Sequence, residues 1–114
     1  MKVKKIPHSE SFPDPHYCPH FQGTVELIGR RWTAAILRCL FAGDNRFSDI
    51  LKAVPGLSAR LLTERLHELL EAGVVMTPKG GPRGTYFLTA KGEDLREAFV
   101  ALEAWNERWA TTAP

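Results

Sequence analysis

The segment from Ser58 to Gly73 constrains the fold more than any other part of this chain. Leu62, Leu66, Leu69 and Leu70 recur at the spacing of one helical face. Arg60, Thr63, Glu64 and His67 follow the same i, i+3, i+4, i+7 period on the opposite face. Ser58 is a favoured N-cap, Leu57 and Leu62 stand at the two positions of a hydrophobic staple, and Gly73 supplies a stop. The pattern predicts a helix over 58–72 that buries leucines on one side and offers polar groups on the other. Such a helix is stable only where other elements cover its leucines.

The flanking sequence supplies those elements. Phe21, Val25, Leu27 and Ile28 predict a short helix ending near Gly29. Trp32, Ala35, Ile36, Cys39 and Leu40 mark the face of a second helix closed by Gly43, and Phe47, Ile50, Leu51 and Val54 mark a third, stopped before Pro55-Gly56. After Gly73, the β-prone runs 74–77 and 85–88 flank the turn-rich stretch 78–84, which reads as a hairpin with Lys79 and Arg83 at its tip. Thr89 then caps one long final helix reaching about Trp109, with Leu95, Phe99, Leu102, Trp105 and Trp109 as its apolar stripe. Little local core is left for that stripe, so a second subunit is its natural destination. The fold class is mainly α with a small β-hairpin: a winged helix-turn-helix with N- and C-terminal dimerisation helices. Residues 1–19, with Pro7, Pro13, Pro15 and Pro19, read as a flexible tail, and 20–114 as the domain.

A length of 114 residues suits one domain, and 44% hydrophobic content excludes disorder as its main state. No apolar run is long enough to span a membrane, and two cysteines are too few to staple a secreted miniprotein, so a reducing cytoplasm is expected. Residues 1–92 hold thirteen Lys and Arg against eight acids, whereas 93–114 hold two against five. That asymmetry suits a body with one polyanion-facing side. The sequence contains no Gly-rich phosphate cradle, no metalloprotease helix and no recognisable carboxylate pair, so neither an enzyme nor a cofactor is expected.

A helix that reads DNA must bury one face and present polar side chains to the major groove. The 58–72 helix meets that requirement. Ser58 and the helix start suit phosphate, Arg60 a guanine edge or a phosphate, and Thr63 a thymine methyl or a phosphate, with His67 two turns along. Glu64 either reads cytosine N4 or pairs with Arg60 one turn back. Arg83 on the hairpin tip is shaped for a narrow minor groove, and Lys79 beside it suits phosphate. Glu64, Glu68 and Glu71 on the same helix support a competing reading, a protein–protein interaction module that keeps the fold without binding DNA.

Several stretches resemble HxlR-type regulators, a branch of the MarR-like winged-helix proteins. They are Cys18-Pro19, the runs 27–33 and 36–38, 46–51, 55–58 and 61–66, Leu69 with Gly73, 86–89 with Gly92, and Leu102 with Trp105. The ordered set covers residues 18–109. Gly84-Thr85 departs from the hydrophobic-acidic pair common in that family, and Thr77 stands where arginine is frequent. The resemblance implies a homodimeric transcriptional regulator on a pseudo-palindromic double-stranded operator. It also implies that the first and last helices form the dimer, through Phe21, Val25, Leu95, Phe99, Leu102, Trp105 and Trp109. Ser58, Arg60 and Thr63 would lie on the DNA-reading helix, with Lys79 and Arg83 in the wing.

In several such regulators a cysteine at the position of Cys18 senses oxidants or electrophiles. Here Cys18 lies between His16 and His20 at the start of the first helix, a setting that favours a reactive sulfur. The bland alternative is a structural cysteine. His16, Cys18 and His20 are spaced for no regular zinc motif, so no metal is expected. Cys39 on the second apolar stripe reads as a buried, inert thiol. Trp105 and Trp109 suit a subunit interface, or a flat pocket there for an aromatic effector.

Overall fold

The computed structural model describes residues 16–110. Six helices and one hairpin follow in the expected order: α1 (Pro19–Ile28), α2 (Thr33–Phe41), α3 (Phe47–Ala53), α4 (Ala59–Glu71), β1 (Val75–Met76), β2 (Phe87–Leu88), α5 (Ala90–Asp94) and α6 (Arg96–Ala110). Residues 1–15 of the expected tail lie outside the described residues.

Helix α4 is built as its sequence dictates. The Ser58 hydroxyl accepts from the Leu61 N–H at 3.1 Å, and Leu57 and Leu62 are both buried as the staple requires. At the other end Gly73 takes φ +76, the Gly73 N–H donates to the Leu70 carbonyl and the Val74 N–H to the Leu69 carbonyl. This is a Schellman closure, and the buried Leu69 and Val74 give it its apolar contact. Leu62, Leu66 and Leu69 are sealed among Ile36, Leu37 and Leu40 of α2, Ile50 of α3, and Val74 and Val75. Fully burying each such side chain stabilises the fold by about 1.5–3 kcal/mol.

The hairpin is antiparallel, with Val75 opposite Leu88 and Met76 opposite Phe87. Its return strand is also pinned to the start of the helix-turn-helix. Arg46 and Thr85 form a bridge, the Phe47 N–H donates to Gly84 at 2.7 Å, and the Tyr86 N–H donates to Asn45 at 2.7 Å. The wing is therefore fixed both to the exit of α4 and to the entrance of α3.

Three expectations need correction. Pro19 is not a tail residue that blocks structure: it opens α1 behind the N-cap Cys18, where the missing N–H of proline costs nothing. The single helix expected from Thr89 to Trp109 is two, broken at Leu95. Here the cause is tertiary. Thr89 donates its hydroxyl to Gly73 and, from its N–H, to Val74, while Lys91 donates to Ala72 at 2.7 Å, so α5 is docked on the carbonyls that α4 leaves open. Gly92 sits directly against the Val74 carbonyl. Finally, Phe99 does not belong to an exposed stripe. It is buried within the subunit, edge-on to Phe41 with ring centroids 5.1 Å apart, and Leu95 is half-buried.

A Cβ at Gly92 would collide with the Val74 carbonyl oxygen and press on Leu88. Gly92→Ala should therefore lose about 1–3 kcal/mol in urea unfolding. Gly23→Ala, in open space on α1, should lose nothing. Equal stability of the two variants would contradict the docking of α5 on α4.

Candidate nucleic-acid interface

The polar face of α4 points to solvent. Ser58, Arg60, Thr63, Glu64 and His67 are all exposed, Arg60 with 87% of its side chain accessible. Thr63 donates its hydroxyl to the Ala59 carbonyl at 2.9 Å, which leaves the methyl as the end without a hydrogen bond. His67 lies 3.3 Å from Glu71 one turn on. Of the two readings of Glu64, the structure shows the pairing: its Oε2 is 3.3 Å from Arg60 Nε. An exposed pair of this kind is worth about 0.3–0.5 kcal/mol, so it does not lock Arg60 away from a ligand.

The acidic residues on α4 do not form a uniform repulsive face. Glu68 is drawn to the flank of the helix, 3.1 Å from Arg65 Nη1 and 3.2 Å from Arg30. Glu64 faces arginines on two sides, since its Oε1 is 3.9 Å from Arg65 Nη1. These pairings weaken the protein-module reading that rested on Glu64, Glu68 and Glu71.

Periodicity does not mark Arg65, whose role comes from its burial. Only 10% of its side chain is accessible, and its Nε donates to the Arg31 carbonyl at 2.9 Å. A charge beside a leucine stripe needs a partner, and that need was the available signal. Arg31 belongs to the turn between α1 and α2. There Trp32 adopts φ +80, under the Arg31 guanidinium, with its ring edge against Gly56 of the helix-turn-helix. Gly56, at φ +88, takes a conformation that strains any other residue, and a Cβ there would press on the Trp32 ring at 3.2 Å. The 29–32 turn thus holds both α4 and the turn that precedes it.

Lys79 and Arg83 are exposed on the wing loop, with Arg46 exposed at its base. Periodicity gave no reason to single out Arg46; the bridge to Thr85 brings it there. Phe21, Val25, Leu102, Trp105 and Trp109 are exposed, and no residue of α1 is buried. Cys18 caps α1, its Sγ accepting from the Phe21 N–H at 3.5 Å. Among the described residues no three His, Cys, Asp or Glu side chains gather as a metal site, and no helix is long and apolar enough to cross a membrane.

Two helices joined by a tight turn, the second with a solvent-facing polar row, and a hairpin with basic residues behind them define a winged helix-turn-helix DNA-binding regulator. The chain belongs to the HxlR-like helix-turn-helix family, whose model matches residues 27–114. It is 40% identical to YvaP of Bacillus subtilis, an uncharacterised HTH-type transcriptional regulator, over 81% of this chain and 88% of that one. The structure of quinone-bound YodB from B. subtilis superposes with a TM-score of 0.72 at 33% identity, covering 81% of this chain and 99% of that chain. The redox regulator HypR in its reduced form superposes with a TM-score of 0.70 at 26% identity, covering 80% and 93%.

The two cysteines differ in environment. Burial pushes the Cys39 thiol above its ordinary range, Asp44 adds to the effect and Arg38 opposes it. A raised value keeps the sulfur protonated, so little thiolate is present to react. In native protein at pH 8, DTNB should modify Cys18 quickly and Cys39 only on unfolding, and Cys18→Ser should show no fast thiol. Two equally fast thiols would contradict this assignment.

Proposed function

We propose that the protein is a homodimer that reads a pseudo-palindromic operator, with α4 in the major groove and the 78–84 wing loop at the minor groove. The observation that carries the reading is the division of α4. Its leucine face is sealed in the core, while Ser58, Arg60, Thr63 and His67 face outward with the neighbouring acids matched by arginines. Lys79 and Arg83 extend the basic surface, and each phosphate they pair with adds about 0.9 to the salt slope of log K. Dimerisation is supported by the exposed apolar rows of α1 and α6, where Trp105 and Trp109 are 53% and 56% accessible. Large exposed aromatics of this kind are what a subunit interface buries.

Cys18 is the proposed point of regulation. It caps the helix that carries Phe21 and Val25, so oxidation or adduct formation at its sulfur would disturb the cap and the orientation of the two reading heads. Support comes from the relatives: YodB has been seen with a quinone bound and in reduced form, and HypR is a redox regulator.

Selection of bound duplexes from random DNA, with and without diamide, tests the reading. The expected product is an inverted repeat with half-site centres about 34 Å apart, one helical turn. Enrichment should fall on oxidation of the wild type and stay unchanged in Cys18→Ser. Enrichment of single half-sites would reject the dimer, and no enrichment at all would reject the DNA-binding role of α4.

A further inference from the structure

We propose that Glu64 is a positioning residue for Arg60. Its carboxylate holds the Arg60 guanidinium in the attitude that reads a guanine edge, and it is itself steadied from behind by Arg65. The proposal rests on the DNA-reading role of α4 given above.

Three contacts run in series from the core to the tip of the reading face. Arg65 Nε is fixed on the Arg31 carbonyl at 2.9 Å, Arg65 Nη1 lies 3.9 Å from Glu64 Oε1, and Glu64 Oε2 lies 3.3 Å from Arg60 Nε. Arg65 cannot swing away, because it is buried and its Nη1 is also bound to Glu68 at 3.1 Å. The two oxygens of Glu64 therefore face a fixed arginine on one side and an exposed one on the other. Contact through Nε leaves Arg60 its terminal Nη1 and Nη2 edge, whose two parallel N–H groups match O6 and N7 of guanine. An arginine steadied in this way loses less side-chain freedom when it docks. In water the pair is weak, but in a groove from which water is excluded it strengthens, so the support is greatest when the base is read.

This arrangement also settles what an acid is doing on a face that meets phosphates. A carboxylate there weakens binding to every duplex by repulsion. It is useful only if it improves discrimination. Specific and random DNA should consequently respond to its removal in opposite directions.

The test compares wild type, E64A, E64Q, R60A and the R60A/E64A double variant on the selected operator. Each protein is also titrated on duplexes carrying all four base pairs at the position whose preference R60A erases, and on random duplex, at one salt concentration. E64A should reduce the preference for guanine by about twofold or more, short of the full loss in R60A, while binding to random duplex tightens. E64Q keeps an acceptor oxygen and should retain part of the preference. In the R60A background, E64A should change the base preference no further. If E64A tightens operator and random duplex equally and leaves the preference intact, Glu64 is only a repulsive charge and the proposal falls. A loss that adds to that of R60A means that Glu64 reads a base directly, which also overturns it. If R60A erases no preference anywhere, the reading of Arg60 fails and the proposal fails with it. By contrast, an effect of R60A without one of E64A removes the support by Glu64 alone.

Discussion

The sealing of three leucines beneath α4 is the constraint on which the rest of the molecule depends. Leu62, Leu66 and Leu69 are removed from solvent almost completely, and their cover comes from α2, α3 and the first residues of the wing. Because one side of the helix is committed in this way, the opposite side is committed to solvent. The ends of α4 then place its neighbours. Its capped start follows directly from the helix-turn-helix turn, and its Schellman closure delivers Val74 straight into β1. The open carbonyls of residues 72–74 receive Lys91 and Thr89, which sets where α5 begins.

Electrostatics refines this frame rather than building it. The acids of α4 look unsuited to a polyanion in sequence, yet in the fold Glu64 lies near Arg60 and Arg65, Glu68 near Arg65 and Arg30, and Glu71 beside the His67 ring. Arg65 also binds the backbone of the 29–32 turn, which joins the capped α1 to α2. The reading helix and the helix that carries Cys18 are thereby connected through one short, strained segment.

Much of this architecture was legible because its signals are local. Ser58, the Leu57–Leu62 staple and Gly73 mark both ends of α4 by themselves, and the two β-prone runs around 78–84 announce the hairpin. The parts that were not legible are fixed by distant partners. The break at Leu95 leaves no mark, because Leu95, Phe99 and Leu102 continue the helical period through it; tertiary contacts flank it, with Thr89 and Gly92 on Val74 before it and Arg96 and Phe99 on Phe41 after it. The same periodicity cannot say whether a stripe meets its own core, as Phe99 does, or solvent, as Trp105 and Trp109 do. Pro19 carries two meanings, breaker and first helical residue, and the Cys18 cap decides between them. On the reading face, exposure of Arg60, Thr63 and His67 follows from the pattern, whereas Arg65 and Arg46 take their roles from a carbonyl and a strand far away in sequence.

In the proposed complex one face of α4, together with the wing loop, meets duplex DNA while α6 does not. Amide hydrogen exchange with and without a selected duplex tests it most directly. Exchange should slow at the first-turn amides of α4, residues 59–61, and along the wing loop 79–85, and stay unchanged in α6. Protection along α6 with none at those amides would contradict it.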